Sequence, residues 1–306
     1  MQKTINEPRN PQSQVKPMEN LEVESKPLYK QPRPEGFKES PAIEGLINCS
    51  NYVNFQLPPG PGLLPFAYLV NFNKGTMGLY LYGLMVYYDN FSTGAWIYLA
   101  LHGTYGFFWV FKDTVFPDPG FMTKTTFMSL LFTTVVGLIP YYFLGYWMMS
   151  KTGADREVSN ERLFVATVVF IHGLLYTVMT DAQKYLVLRE RRGLITHCMN
   201  GWSRNLNYVG EMMLYGSFWI LIWRWEPAVI FAWMWGIVFV LKMTMKEYSL
   251  SMKEGWDEYK AKSWWLLPKL YNSNLLSILF YLVLLVGGYL CYRNGGLEAT
   301  TKLLTK

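Results

Sequence analysis

The chain reads as long apolar blocks separated by short polar stretches, preceded by one segment with neither character. The blocks fall at 76–88, 94–111, 126–149, about 163–180, 209–223, 227–241 and 274–292, and the first can be traced back through 64–72. A straight helix needs about 20 apolar residues to cross a bilayer core. The pattern therefore predicts an all-α, polytopic membrane helix bundle of about seven transmembrane helices. Blocks 76–88, 209–223 and 227–241 are short by this measure. Trp223-Arg224-Trp225-Glu226 is a tight polar connection, so it should join the fifth and sixth helices as a hairpin.

Residues 1–62 are a different material, holding 10 of the 16 prolines among Gln, Asn, Glu and Lys. Such a segment buries too little apolar surface to offset its chain entropy, which predicts a disordered or extended tail. No apolar run follows Lys3, so it does not read as a signal peptide. Glu7, Glu19, Glu22 and Glu24 among few arginines make a weak mitochondrial presequence. The chain then divides into N-terminal transmembrane helices over 63–160, a C-terminal domain over 161–272, and an extra helix and tail over 273–306.

Composition sharpens this picture. Charged residues make up 16%, against about 25% in soluble domains. Trp and Tyr, 12 and 22 in number, suit the headgroup level of a bilayer. The net charge is +6, yet residues 1–60 carry 7 basic and 7 acidic residues, so the excess lies in the membrane body. It is concentrated in 184–204 and 242–272, which the fifth and sixth helices place on one face. Basic residues in short loops mark the cytoplasmic side, and the tail joins them there. With seven spans the C-terminus lies opposite, as does the Asn90-Phe91-Ser92 sequon, too close to the bilayer for use. No basic helix or aromatic-basic signature points to nucleic acid. Cys49, Cys198 and Cys291 share no metal spacing, and three cannot all pair, which fits a reduced or membrane-buried setting.

Ionisable groups in membrane helices are costly and often mark sites. His102, Tyr105 and Trp109 share one face of the second helix, and Lys112-Asp113 closes it. His172 sits in the fourth helix, which reaches Asp181 three residues before Lys184. Each histidine is also readable as a packing residue, and Asp181–Lys184 as an interfacial ion pair. The loop 184–204 sets topology, but its arginines Arg189 and Arg192 also suit the phosphates of a dinucleotide. Beyond them, Asn200-Gly201-Trp202-Ser203-Arg204-Asn205-Leu206-Asn207-Tyr208 offers rings to sandwich a flat base and amides to read its edge. Glu211 then opens an apolar helix. Gly-rich phosphate loops, a GxSxG elbow and metal clusters are absent from the sequence.

Asp181-Ala182-Gln183-Lys184, Gly201-Trp202, then Arg204-Asn205-Leu206-Asn207-Tyr208-Val209-Gly210-Glu211, Lys246-Glu247, Gly255-Trp256-Asp257-Glu258-Tyr259 and Pro268 match a known series in order and spacing. Over about 165–270 the chain resembles the C-terminal domain of the steroid 5α-reductase family. His102-Gly103-Thr104-Tyr105-Gly106 with Phe116-Pro117-Asp118 looks like a less studied branch of it. The resemblance implies a seven-helix bundle that takes NADPH from the cytosol and reduces a carbon–carbon double bond of a steroid, sterol or polyprenol. It implies cofactor contacts at Asp181, Lys184, Arg189, Arg192, Trp202, Arg204, Asn207, Tyr208, Glu211 and Tyr259. His102 and Tyr105 are the candidate catalytic groups by chemistry alone, a tyrosine hydroxyl being a suitable donor to a developing oxyanion. Asn205-Leu206 stands where the family has His-Pro. That departure and the tail fit a second reading, a non-catalytic membrane subunit that meets a partner complex through 1–62. A third is an S-adenosylmethionine-dependent methyltransferase, whose family shares part of the arginine motif but has paired glutamates where Lys246-Glu247 stands here. The lipid substrate and membrane lipids are the expected partners. The resemblance implies the endoplasmic reticulum, with a mitochondrial membrane as the alternative.

Overall fold

Every apolar block is helical in the computed structural model, which describes residues 37 and 39–304. In chain order the α-helices are α1 (Pro41–Asn51), α2 (Phe66–Gly75), α3 (Met77–Tyr87), α4 (Thr93–Val115), α5 (Phe127–Thr133), α6 (Ile139–Met149), α7 (Asn160–Glu190) and α8 (Cys198–Trp202). They continue with α9 (Leu206–Ile222), α10 (Pro227–Trp233), α11 (Val240–Ser251), α12 (Trp256–Lys262), α13 (Asn274–Arg293) and α14 (Leu297–Leu304). One-turn π-helical segments, Thr134–Leu138 and Met234–Phe239, join α5 to α6 and α10 to α11. Pro140 follows the first of them and withholds an N–H from the helical ladder. A two-residue strand pair, Leu64–Pro65 against Lys124–Thr125, ties the start of α2 to the loop after α4.

Four stretches are long and apolar enough to cross a bilayer: Phe127–Met149, Gly153–Glu190, Pro227–Ser251 and Asn274–Arg293. The protein is therefore an integral membrane protein. Among the described residues these four stretches meet the length and composition of a span, and the expected count of seven is not confirmed by them. At 23 residues α4 is long enough but less apolar, and at 17 residues α9 is short. Lys74 and Thr76 end the backward extension of the first block, which is two helices and not one.

Capping residues set several starts. Ser92, Thr126, Ser159 and Ser273 accept from the backbone N–H groups of Ala95, Ser129, Arg162 and Leu276. Trp223 adopts a left-handed conformation that stops α9, Arg224 pairs with Glu226, and Pro227 starts α10, so the expected hairpin is formed. The last carbonyls of α9 are capped from outside. Arg162 donates to Ile220 at 3.2 Å and Leu221 at 2.8 Å, and Lys151 donates to Leu221 at 3.1 Å.

Tyr98, Phe218, Leu81, Leu144, Met148 and Leu214 are fully buried, which puts the core between α3, α4, α6 and α9. Helices α7 and α9 pack closest, at facing glycines. A methyl group at Gly173 would lie 2.7 Å from the Gly210 carbonyl oxygen and 2.8 Å from the Leu214 nitrogen. Asn90 is wholly buried and donates to the Met149 carbonyl at 3.0 Å, so its sequon is a structural fastening.

The tail expectation divides. Residues 1–36 and 38 lie outside the described residues. The rest is not extended, because 41–56 is helical. Its start is held at the end of α11, where Tyr248 donates to Glu44 at 2.6 Å and Phe37 meets the Tyr248 ring at 5.3 Å. Helix α13 stands apart, with 6% of its apolar window buried in the chain.

Candidate functional site

Three helices converge on one internal polar cluster. Helix α2 brings Lys74, α4 brings His102, Tyr105, Trp109 and Lys112, and α9 brings Asn207, Tyr208, Glu211 and Tyr215 at helical spacing. A small cavity of about 20 Å³, the space of a water molecule, lies among them, lined by Lys74, His102, Tyr105, Tyr141, Tyr142 and Tyr215. Lys74 donates to the Tyr105 hydroxyl oxygen at 2.6 Å. Its ammonium also lies 3.6 Å from the centre of the Trp109 ring, within cation–π range. Tyr105 meets Tyr215 edge to face at 5.6 Å, and Tyr215 stacks on Tyr141 at 4.0 Å. His102 is buried, stacks on Phe218 at 4.2 Å and shares a hydrogen bond with the Tyr98 hydroxyl at 3.1 Å. It lines the cavity beside Tyr105, while its Nδ1 is taken up by packing partners.

Glu211 is half-buried, and among the described residues no hydrogen bond reaches its carboxylate. Lys74, Lys112 and Asp181 all act on it electrostatically. Asp181 is paired with Lys112, and Lys184 with Asp118 at 2.7 Å. The expected i, i+3 pairing of Asp181 with Lys184 is thus replaced by two contacts across the fold. The end of α4 and the loop behind it approach α7 and offer each charge a nearer partner. Burial raises the Asp118 carboxyl, but the Lys184 ammonium and the Gly120 N–H outweigh it and hold the group below the usual carboxylate range.

The remaining motif residues do different things. Arg204 is buried: its Nε donates to both Glu247 oxygens at 2.8 and 3.0 Å, and its Nη1 to the Ser263 carbonyl. Arg204 and Asn205 are knitted to the chain before Pro268. The Arg204 N–H donates to Trp264, Ser203 to the Leu266 carbonyl at 2.6 Å, and Asn205 to the Trp265 carbonyl at 2.9 Å. Asn205 thus supplies a fastening where the family has histidine, and Leu206 is fully buried in the position of proline. Tyr259 donates to the Asn200 carbonyl at 2.6 Å, and burial pushes its phenol above the ordinary range. Lys246 donates to the Arg204 carbonyl at 2.7 Å and to Asn207 at 3.4 Å. Tyr208 meets Phe239 edge-on at 5.0 Å, whereas Trp202 is exposed. Arg189 and Arg192 are exposed on the loop side, with Arg189 over the Tyr185 ring at 5.5 Å.

The structure therefore brings Tyr105, Asp181 and Glu211 into one electrostatic cluster and puts Arg204 and Tyr259 into the frame around it. Sequence reading missed Lys74, Tyr141 and Tyr215, and noted Lys112 only as the end of a helix. A lone lysine between two apolar stretches was the available signal for Lys74. No group of three or more metal-ligating side chains occurs among the described residues.

Residues 120–271 match the family described as 3-oxo-5-alpha-steroid 4-dehydrogenase. Comparison with curated proteins and with solved structures gives no match.

Proposed function

Because residues 120–271 belong to the steroid 5α-reductase family as its C-terminal domain, we propose that the protein reduces a carbon–carbon double bond of a membrane lipid with NADPH. The observation that carries this reading is a phenol donor, Tyr105, lining a small cavity between α2, α4, α6 and α9, with the Glu211 carboxylate near enough to act on it electrostatically. The residues fit the cofactor in chemistry. Glu211 and Asn207 would hold its carboxamide, and the exposed Arg189 and Arg192 its phosphates. Arg204 is spent on Glu247 and Ser263, so its part is to keep the loop in shape. When bound, the cofactor supplies a hydride.

The chain's own residues do the rest. Tyr141, Tyr142 and Tyr215 line the cavity, which would have to widen to admit a flat lipid between their rings. Tyr105 donates to the substrate oxygen on which negative charge develops. Burial of the cluster strengthens that hydrogen bond and excludes water. The lipid enters from the bilayer, and we place the protein in the endoplasmic reticulum.

The non-catalytic subunit reading draws on one observation, the full commitment of Arg204 and Tyr259 to the fold. Thermal unfolding of the full chain in mild detergent separates the two. A ligand at a hundred times its dissociation constant stabilises by about 2.7 kcal/mol. Stabilisation by NADPH that Glu211→Ala abolishes is the expected result. No response to NADPH, NADH or S-adenosylmethionine would leave the subunit reading standing, and a response to S-adenosylmethionine alone would make it a methyltransferase.

A further inference from the structure

Lys74 is the one charged residue between Phe66 and Tyr87. A cation in such a stretch is expensive unless it is paired or used. Among the described residues no carboxylate lies within ion-pair distance of it, and its one direct hydrogen bond is to Tyr105 at 2.6 Å. An ammonium has three donors and no acceptor. The Tyr105 oxygen is therefore the acceptor in that bond, and its own proton must aim elsewhere. Both groups line the same cavity, and the Tyr105 hydroxyl shares its proton with Tyr215 there, so a substrate oxygen entering beside Tyr215 would take that proton in its place.

The approach is built into the backbone. The residue after Tyr105 is Gly106, where an added methyl group would overlap the Lys74 carbonyl oxygen. The residue after Lys74 is Gly75, where a methyl group would lie 3.1 Å from the Val110 side chain. Matched glycines thus let the last turn of α2 rest on α4 at the level of the phenol.

We infer that Lys74 is a positioning residue: it fixes the Tyr105 phenol so that its proton faces the substrate oxygen, and Gly106 permits the contact. The inference rests on the reductase reading for the identity of that substrate. As negative charge grows on the substrate oxygen, the phenol gives up part of its proton, and the adjacent ammonium compensates the charge left on the Tyr105 oxygen. No bond to Lys74 forms or breaks.

The test uses the full chain in detergent with NADPH and a 3-oxo-4-ene steroid. Lys74→Met keeps the length of the side chain and removes a buried charge, so the variant should fold. Its kcat should fall about tenfold or more with KM little changed, and Lys74→Arg should recover part of the loss. A second readout needs no substrate. In protein carrying tyrosines labelled with carbon-13 at Cζ, the Tyr105 resonance is identified by its absence in Tyr105→Phe. It should move in Lys74→Met and Gly106→Ala and return toward the wild-type position in Lys74→Arg. Full kcat in Lys74→Met, or an unmoved resonance, overturns the inference while leaving the reductase reading intact. Wild-type protein that ignores NADPH refutes the reductase reading, and with it the substrate role of Lys74. The resonance then still decides whether the Lys74–Tyr105 contact exists.

Discussion

The α7–α9 contact sets the distance between the Asp181 and Glu211 sides of the site, and a single methyl group should open it. In Gly173→Ala the new carbon meets backbone atoms of α9 at 2.7 and 2.8 Å, contacts that no side-chain rotation relieves. Overpacking of this kind costs about 1–3 kcal/mol, here at the upper end because both partners are main chain. Alanine recovers about 0.8–1.0 kcal/mol through its helix propensity. The net loss is about 1–2 kcal/mol, equivalent to a fall in Tm of about 2–8 °C for a chain of this size. Gly83→Ala is the matched control, since nothing lies within 4 Å of its added carbon; its Tm should hold or rise. Both are read by thermal unfolding in one detergent, with and without NADPH. Gly173→Ala should also lose part of the NADPH response, because the carboxylates move apart. Equal Tm values for the two variants would refute the close contact and the argument built on it.

Arg204→Ala should destabilise by about 3 kcal/mol by leaving Glu247 uncompensated, and Glu247→Ala added to it should cost much less than the sum; strict additivity in that cycle would mean the pair does not hold the loop. Lys151, whose buried ammonium is pushed down from its ordinary value to about 8, next to Arg162, binds its proton more weakly folded than unfolded. Its contribution to stability should therefore increase as pH rises from about 8 towards about 10.5. Wild-type Tm measured against Lys151→Met across that window should gain steadily, and a flat difference would show that the amine is not buried.

Much of the fold was legible because burial in a bilayer and burial in a helix bundle leave the same apolar record. Boundaries were less so. Block 163–180 belongs to a helix that runs from Asn160 to Glu190. Apolarity stops where the headgroups begin, whereas Asp181, Gln183 and Lys184 carry on the helix into a polar setting. The Lys74–Thr76 break was hidden for the opposite reason, since a polar step of three residues looks trivial between two apolar runs. Among motif residues, the sequence singles out side chains but not their partners. Arg204 reads identically whether it faces a phosphate or Glu247, because a guanidinium fork suits both. Lys112 and Asp118 found partners on α7 from far away in the chain, which no local spacing encodes.

The fastening of Ser203, Arg204 and Asn205 to the chain at 264–266 also dictates an order of events during folding. The two segments are about 60 residues apart, and closing so long a loop from a free chain carries a large entropic cost. Once the α9–α11 hairpin has formed, its two ends already lie side by side and most of that cost is gone. The knot should thus tie after the hairpin, making the floor beneath Asn207 and Glu211 a late product of assembly. A lesion at Trp223 or Pro227, in the turn between α9 and α10, would then delay the maturation of a site it never touches.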